Sequence, residues 1–152
     1  MIIYKKAKLT DIEEMQKLAK PEVDSGIILN RTDDEIATNI RSYYLAFDDE
    51  ALVGFGALHI HAQTLAEVRS LIVKDSLRGQ GIGKQIVLNL IEEGKILGIK
   101  EIFTLTYRKA FFEKVGFMEI PKESLPTQKI WADCIRCKHF PICDEIALII
   151  NI

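Results

Sequence analysis

The chain has 152 residues, 48% hydrophobic and 28% charged, which suits one folded domain and argues against a disordered chain. Its 20 basic and 22 acidic residues leave a formal charge of −2, which argues against a broad nucleic-acid or anionic-membrane surface. No apolar run approaches the roughly 20 residues of a membrane span. The start, Met1-Ile2-Ile3-Tyr4-Lys5-Lys6, lacks the order of a signal peptide, so the cytoplasm is the expected compartment.

In chain order, Thr10-Asp11-Ile12-Glu13 reads as a capping box opening a first helix. Ile12, Met15, Leu18 and Ala19 give it one apolar stripe, and Pro21 is expected to limit its length. Thr32-Asp33-Asp34-Glu35 repeats the capping pattern ahead of Ile36 and Ile40. The segment 23–31 between these helices suits an ordinary surface loop, and a loop of this kind over a cleft also suits binding. Residues 43–47 and 51–60 flank the polar turn Asp48-Asp49-Glu50 as a β-hairpin.

A third strand spans 66–73. Strict alternation there places Glu67, Arg69, Leu71 and Val73 on one face and Ala66, Val68, Ser70 and Ile72 on the other. Residues 82–97 form the strongest helix, stopped by Gly98. Residues 99–106 read as a strand, 109–115 as a short helix closed by Gly116, and 145–152 as a terminal strand. The expected class is mixed α/β, one sheet with helices packed on it.

The central feature is Arg78-Gly79-Gln80-Gly81-Ile82-Gly83-Lys84, between a strand and the best helix. Glycines let backbone amides approach a ligand closely. The first turn of a helix has four amides without intrahelical partners, and with the helix dipole they favour phosphate oxygens. A Walker A loop does not fit: Gln85 follows Lys84, and Ser76-Leu77-Arg78 stands where the first glycine belongs. A dinucleotide fingerprint fails at Lys84, in place of its third glycine.

The run Leu71-Ile72-Val73-Lys74-Asp75-Ser76-Leu77-Arg78-Gly79-Gln80-Gly81-Ile82-Gly83 resembles the acetyl-CoA motif of the GNAT N-acetyltransferases, Arg/Gln-x-x-Gly-x-Gly/Ala after a strand. Tyr107 to Phe117 resembles the second motif of that family, slightly compressed. The resemblance covers nearly the whole chain. It implies a mostly antiparallel sheet splayed between two central strands, helices on both faces, and acetyl-CoA in the opening. Residues 1–152 are then one domain, with a cysteine-containing segment at 129–145. The coenzyme is expected on Leu71, Ile72, Val73, Arg78, Gly79, Gln80, Gly81, Ile82, Gly83, Lys84 and Phe112. Two departures stand out. Tyr107 occupies the asparagine position of the second motif. Phe112 occupies the place where many members carry a tyrosine acid, and it has no proton to give the leaving thiolate.

Three segments are similar to the acetyltransferase domain of N-acetylglutamate synthases: Gly26 to Thr32, Ala66 to Val73 and Leu105 to Ala110. The tail from Lys129 to Glu145 is similar to short, stand-alone relatives of that group. The resemblance implies acetylation of the α-amino group of L-glutamate, the first step of arginine biosynthesis. Arg31 and Arg108 would each hold one carboxylate, with Leu29 beside them and Glu67 as general base. The chemistry agrees, since guanidinium forks bind carboxylates by two parallel hydrogen bonds, and an α-ammonium, protonated at pH 7, must lose a proton before it attacks. Longer members carry an amino-acid-kinase-like domain for arginine feedback, for which 152 residues leave no room. The expected partner is a small amino acid, with no nucleic acid and no membrane, and a homodimer is compatible with this reading. Other outcomes stay open at this point: another small amine or a protein N-terminus as acceptor, or acyl-CoA binding without turnover.

Cys134-x-x-Cys137-x-His139-x-x-x-Cys143 offers four soft or nitrogen ligands for a structural zinc, and equally suits plain thiols, since a single C-x-x-C pair is incomplete. Three cysteines cannot pair completely within one chain. His59 and His61 share one strand face, with nothing in the sequence linking them to ligands.

Overall fold

A computed structural model describes residues 1–125 and 145–152. The cysteine and His139 cluster lies outside these described residues. The elements run β1 (Ile2–Lys6), α1 (Ile12–Asp24), α2 (Asp33–Thr38), β2 (Tyr43–Asp48), β3 (Ala51–Ala62), β4 (Leu65–Val73), α3 (Ile82–Leu97), β5 (Glu101–Thr106), α4 (Lys109–Val115), β6 (Met118–Ile120) and β7 (Ile146–Asn151). They build a seven-stranded sheet in the order β1-β2-β3-β4-β5-β7-β6, antiparallel except at β4–β5. Among the described residues, no helix is long and apolar enough to cross a membrane.

Helices cover both faces. α3 packs Ile82, Ile86, Leu90 and Ile91 against Leu58, Val68, Val73 and Ile102 on one face. α1 packs Met15 and Ala19 against Leu45, Phe55, Ala57 and Ile72 on the other. Each Val, Leu, Ile, Met or Phe among them, fully buried, contributes about 1.5–3 kcal/mol of apolar transfer. Gly54 and Gly56 allow α3 to sit this close: a Cβ on Gly54 would lie 3.2 Å from the Ile86 side chain, and one on Gly56 3.0 Å from it.

Three local expectations are corrected. Thr10 does not cap α1. Leu9–Asp11 is a 3-10 turn, and the Asp11 carboxylate accepts from the Lys8 amide at 2.8 Å, two residues earlier. Pro21 does not end α1, which runs on to Asp24. Its last turn is held instead by the Ser25 amide on the Pro21 carbonyl and the Ile27 amide on the Glu22 carbonyl. The predicted box at Thr32 and Glu35 does form, with both reciprocal bonds present.

The third correction matters most. Alternation along β4 does not hold through the strand. The register against β3 advances three residues on β4 for two on β3 between Phe55↔Ile72 and Ala57↔Arg69. Ser70 takes a left-handed φ of +58° at this bulge. Ala66 and Val68 face α3 before it, and Leu71 and Val73 face α3 after it, while Ile72 turns to α1. An extra residue inserted in one strand of a ladder reverses its faces in this way.

Beside the bulge the sheet opens. β4 and β5 pair only at Leu65↔Glu101, Ala66↔Ile102 and Glu67↔Phe103. At the end of that pairing the buried Thr104 hydroxyl donates to the Val68 carbonyl at 2.9 Å. Beyond it β5 stays with β7 as far as Thr106↔Ile146, so β4 and β5 diverge.

Candidate active site

Two cavities lie along the opening, and they share Leu71 and Arg108. The larger, about 430 Å³, is made by the loop between β4 and α3 and by α4. The loop leaves β4 through a 3-10 turn at Asp75–Leu77, anchored by the Lys74 amide on the Val53 carbonyl at 2.8 Å. Gly79 and Gly81 then take φ of +83° and +84°, the left-handed region that other residues enter only with strain. Gly81 is the N-cap of α3, and its carbonyl accepts from the Gln85 amide at 3.0 Å. Among the described residues, no backbone carbonyl accepts from the amides of Gly79 to Lys84. Arg78, Lys84, Arg108 and Lys114 line the cavity, and no described carboxylate does. Unengaged amides at a helix N-terminus, cations on the wall and apolar patches from Leu71, Val73, Phe111 and Val115 suit a phosphate-bearing ligand with an apolar arm.

Most of the predicted coenzyme residues meet here: Leu71, Val73, Arg78, Gly79, Gly81, Ile82, Gly83 and Lys84. Gln80 and Ile72 do not line the cavity, and the Ile72 side chain packs in the α1-side core. Phe112 lines the second cavity, whereas Phe111 lines this one. Neighbouring residues on a helix point about 100° apart, so the two rings, 5.0 Å between centroids, face opposite sides of one wall.

The second cavity, about 110 Å³, draws its walls from α1, the following loop, β4, β5 and the β5–α4 turn. Three of its carboxylates, Glu22, Glu67 and Glu145, face three guanidinium groups, Arg31, Arg69 and Arg108. The predicted Glu67, Leu29, Arg31 and Arg108 therefore all converge on it. Glu67 is 1% exposed, and its Oε1 lies 2.9 Å from His61 Nε2. The Tyr43 hydroxyl is pushed up from its usual value, mainly by burial. Arg31 and Arg69 oppose that shift, and Arg31 lines a small adjoining cavity together with Tyr43.

Arg69 and Glu145 were not among the predicted site residues, and two further participants were not foreseen. Glu22 is buried, with its Oε1 held by Nη2 of Arg78 and by Nη2 of Arg108, the latter at 2.9 Å. One carboxylate thus joins the glycine loop to the β5–α4 turn. Met15, Ala19 and Glu22 are the buried residues of α1, so an acid sits where the apolar stripe continues, and that spacing was the available signal. His61 is the other. Sequence linked it to nothing, and the structure links it to Glu67. Among the described residues, no group of three or more His, Cys, Asp or Glu is placed to hold a metal.

With this geometry in view, comparisons with known proteins agree on its kind. The family model described as "Acetyltransferase (GNAT) family" matches residues 9–117. An uncharacterized N-acetyltransferase of Chlorobaculum tepidum is 35% identical over 143 residues, 94% of this chain and 92% of the relative. The amino-acid acetyltransferase of Mycobacterium tuberculosis is 27% identical over 121 residues, 78% of this chain and 69% of the relative. The structure of N-acetylglutamate synthase from Neisseria gonorrhoeae, complexed with coenzyme A and N-acetyl-glutamate, superposes with a TM-score of 0.87 at 22% identity. It covers 99% of this chain and 35% of that one.

Proposed function

The chain belongs to the GNAT acetyltransferase family, and from that premise we propose that it moves the acetyl group of acetyl-CoA to the α-amino group of an acidic amino acid, L-glutamate. One observation carries this reading: a cationic, amide-lined cavity and a cavity holding a buried carboxylate among arginines meet at Leu71 and Arg108. A direct transfer needs the thioester and the amine side by side, and this junction brings them there.

In this reading the coenzyme diphosphate lies on the amides of Gly79 to Lys84, with Arg78 and Lys84 adding charge. The pantetheine arm enters between β4 and β5. Glu67 takes the proton of the acceptor ammonium, directly or through one water. The freed nitrogen attacks the thioester carbonyl carbon, and the C–S bond breaks from the tetrahedral intermediate. Backbone amides of residues 71–73 that face the opening donate to the developing oxyanion. The departing group is a thiolate, and the second proton that the nitrogen sheds as the amide forms ends on that sulfur. A thiol is acidic enough, near pKa 8.5, for it to leave without a dedicated acid, so Phe112 does not stop the reaction.

Arg31 and Arg108 hold the two carboxylates of the acceptor. Arg108 gives Nη2 to Glu22, and a guanidinium has five N–H donors, so it can serve a second carboxylate. The reading draws support from the relative named amino-acid acetyltransferase and from the structural neighbour bound to N-acetyl-glutamate. A place in arginine biosynthesis and a cytoplasmic location belong to the same proposal.

The test is thiol release from acetyl-CoA with a panel of acceptors. Glutamate should be turned over, with kcat/KM at least tenfold above glutamine, alanine, a polyamine and an N-terminal peptide. Turnover of a polyamine or peptide with none of glutamate would reject the acceptor assignment. It would leave the coenzyme side intact.

A further inference from the structure

We infer that His61 is the positioning residue for Glu67, an inference that rests on reading Glu67 as the base. The geometry comes from two irregularities and one ring contact. β3 and β4 lose register between Ile60 and Ala62, where Ile60↔Ala66 is followed by Ala62↔Leu65. His61 is therefore the extra residue on β3, with no register partner across the ladder. A bulge re-aims its side chain. Here the imidazole is turned so that Nε2 lies 2.9 Å from Glu67 Oε1, with the His61 side chain 9% and the Glu67 side chain 1% exposed.

The ring is held from both sides. Phe103 lies 5.3 Å away between ring centroids, and Phe103 is the β5 register partner of Glu67. His59 approaches edge-on at 4.8 Å, and it is the β3 register partner of Glu67. So β3, β4 and β5 converge on this pair at the closed end of the splay, next to the Thr104 bridge.

An ionised carboxylate only accepts hydrogen bonds, so the ring nitrogen facing it carries the proton. Nε2–H donates to Oε1 and fixes the rotation of the carboxyl group. The bond also compensates part of the cost of keeping a buried carboxylate charged. His61 does not line the acceptor cavity, so it acts through Glu67 and not on the substrate. The other charged or titratable groups facing Glu67 are His59 on β3, Arg69 on β4, and Glu22, Arg31, Tyr107, Arg108 and Glu145 around the cavity.

The experiment compares His61→Phe, His61→Gln and Glu67→Gln in the full chain. The readouts are kcat/KM against pH, coenzyme A affinity and thermal melting. His61→Phe keeps a planar ring against Phe103 and removes the donor. It should lower kcat/KM about 10- to 100-fold, within the range of general acid–base effects. The acidic limb of its profile should move to higher pH, because a buried carboxylate without its donor is harder to ionise. His61→Gln restores an N–H and should recover most of the activity, with the limb near its original position. Coenzyme A affinity should stay within threefold in all three. If His61→Phe does not fold, His61→Leu carries the same expectation.

A His61→Phe enzyme with unchanged kcat/KM and pH profile, beside an inactive Glu67→Gln, overturns the role of His61 and leaves Glu67 as base. Equal loss in His61→Gln and His61→Phe, with no movement of the limb, also overturns it. A fully active Glu67→Gln overturns the base itself, and the inference with it.

Discussion

The two sides of the opening are built differently. The coenzyme side is a local device. Seven consecutive residues, Arg78 to Lys84, supply its amides, its left-handed turns and two of its cations. The acceptor side is assembled from Glu22 on α1, Arg31 in the next loop, Glu67 and Arg69 on β4, and Arg108 after β5. Backbone amides recognise what every ligand of the coenzyme class shares. Side chains brought from distant segments can change one at a time, and in the proposed function they decide which amine enters.

That contrast can be broken most sharply at Glu67. Glu67→Gln should lower kcat/KM by about 10²- to 10⁴-fold, the usual weight of a general base, while coenzyme A affinity measured by calorimetry stays within threefold. A large loss of coenzyme affinity would mean that the two sides are not separable. Next, Arg31→Ala should raise the KM for glutamate by about tenfold or more, from a lost charged hydrogen bond of about 1.5–3 kcal/mol, without touching coenzyme binding. Arg108→Ala should affect both, since Arg108 lines both cavities and holds Glu22. Steady-state kinetics with each substrate varied in turn separates these outcomes.

On the other side, Gly81→Ala should weaken coenzyme binding about tenfold. A Cβ there meets nothing within 4 Å, but φ is +84°, so the cost is about 1–2 kcal/mol of backbone strain in the loop. Acceptor KM should hardly change.

How much of this could be read beforehand follows from the same contrast. The glycine turn and α3 were legible because spacing, capping and apolar period agree within one continuous stretch. The mixed α/β class followed from the alternation of helices and strands, and the splayed sheet was implied by the resemblance of two motifs to the acetyltransferase family. The bulge at Ser70 was not, because no turn residue marks it. Its left-handed φ belongs to a serine, and only the change of face between Val68 and Leu71 reveals it. Pro21 misled because the ring removes one helical donor, while α1 is carried one turn further by contacts at its end, Glu22 with Arg78 and Arg108 among them. β1 and β6 went unread. β1 alternates only weakly, and β6 is three residues long and borrows its order from β7. Glu22 and His61 depend on partners 56, 86 and 6 residues away, which no local pattern announces.

The smallest effect concerns Tyr43, which lines a small adjoining cavity with Arg31. Tyr43 is buried and its hydroxyl titrates above the ordinary value of 10.0. The folded state therefore holds this proton more tightly than the unfolded chain. The stability it contributes is fully present below pH 10 and is lost as pH rises through the folded value. Urea titrations should show Tyr43→Phe losing less stability than the parent chain between neutral pH and pH 11. An identical decline in both would place the alkaline sensitivity elsewhere.

The central claim is that the amides of Gly79 to Lys84 receive the coenzyme diphosphate. Backbone amide chemical shifts, followed by heteronuclear NMR as coenzyme A is added, test it most directly. The account predicts the largest movements at Gly79, Gly81, Ile82, Gly83 and Lys84, with only minor change at Gly26 and Leu29. Saturation by coenzyme A with these loop amides unmoved, and the largest shifts elsewhere, would contradict it.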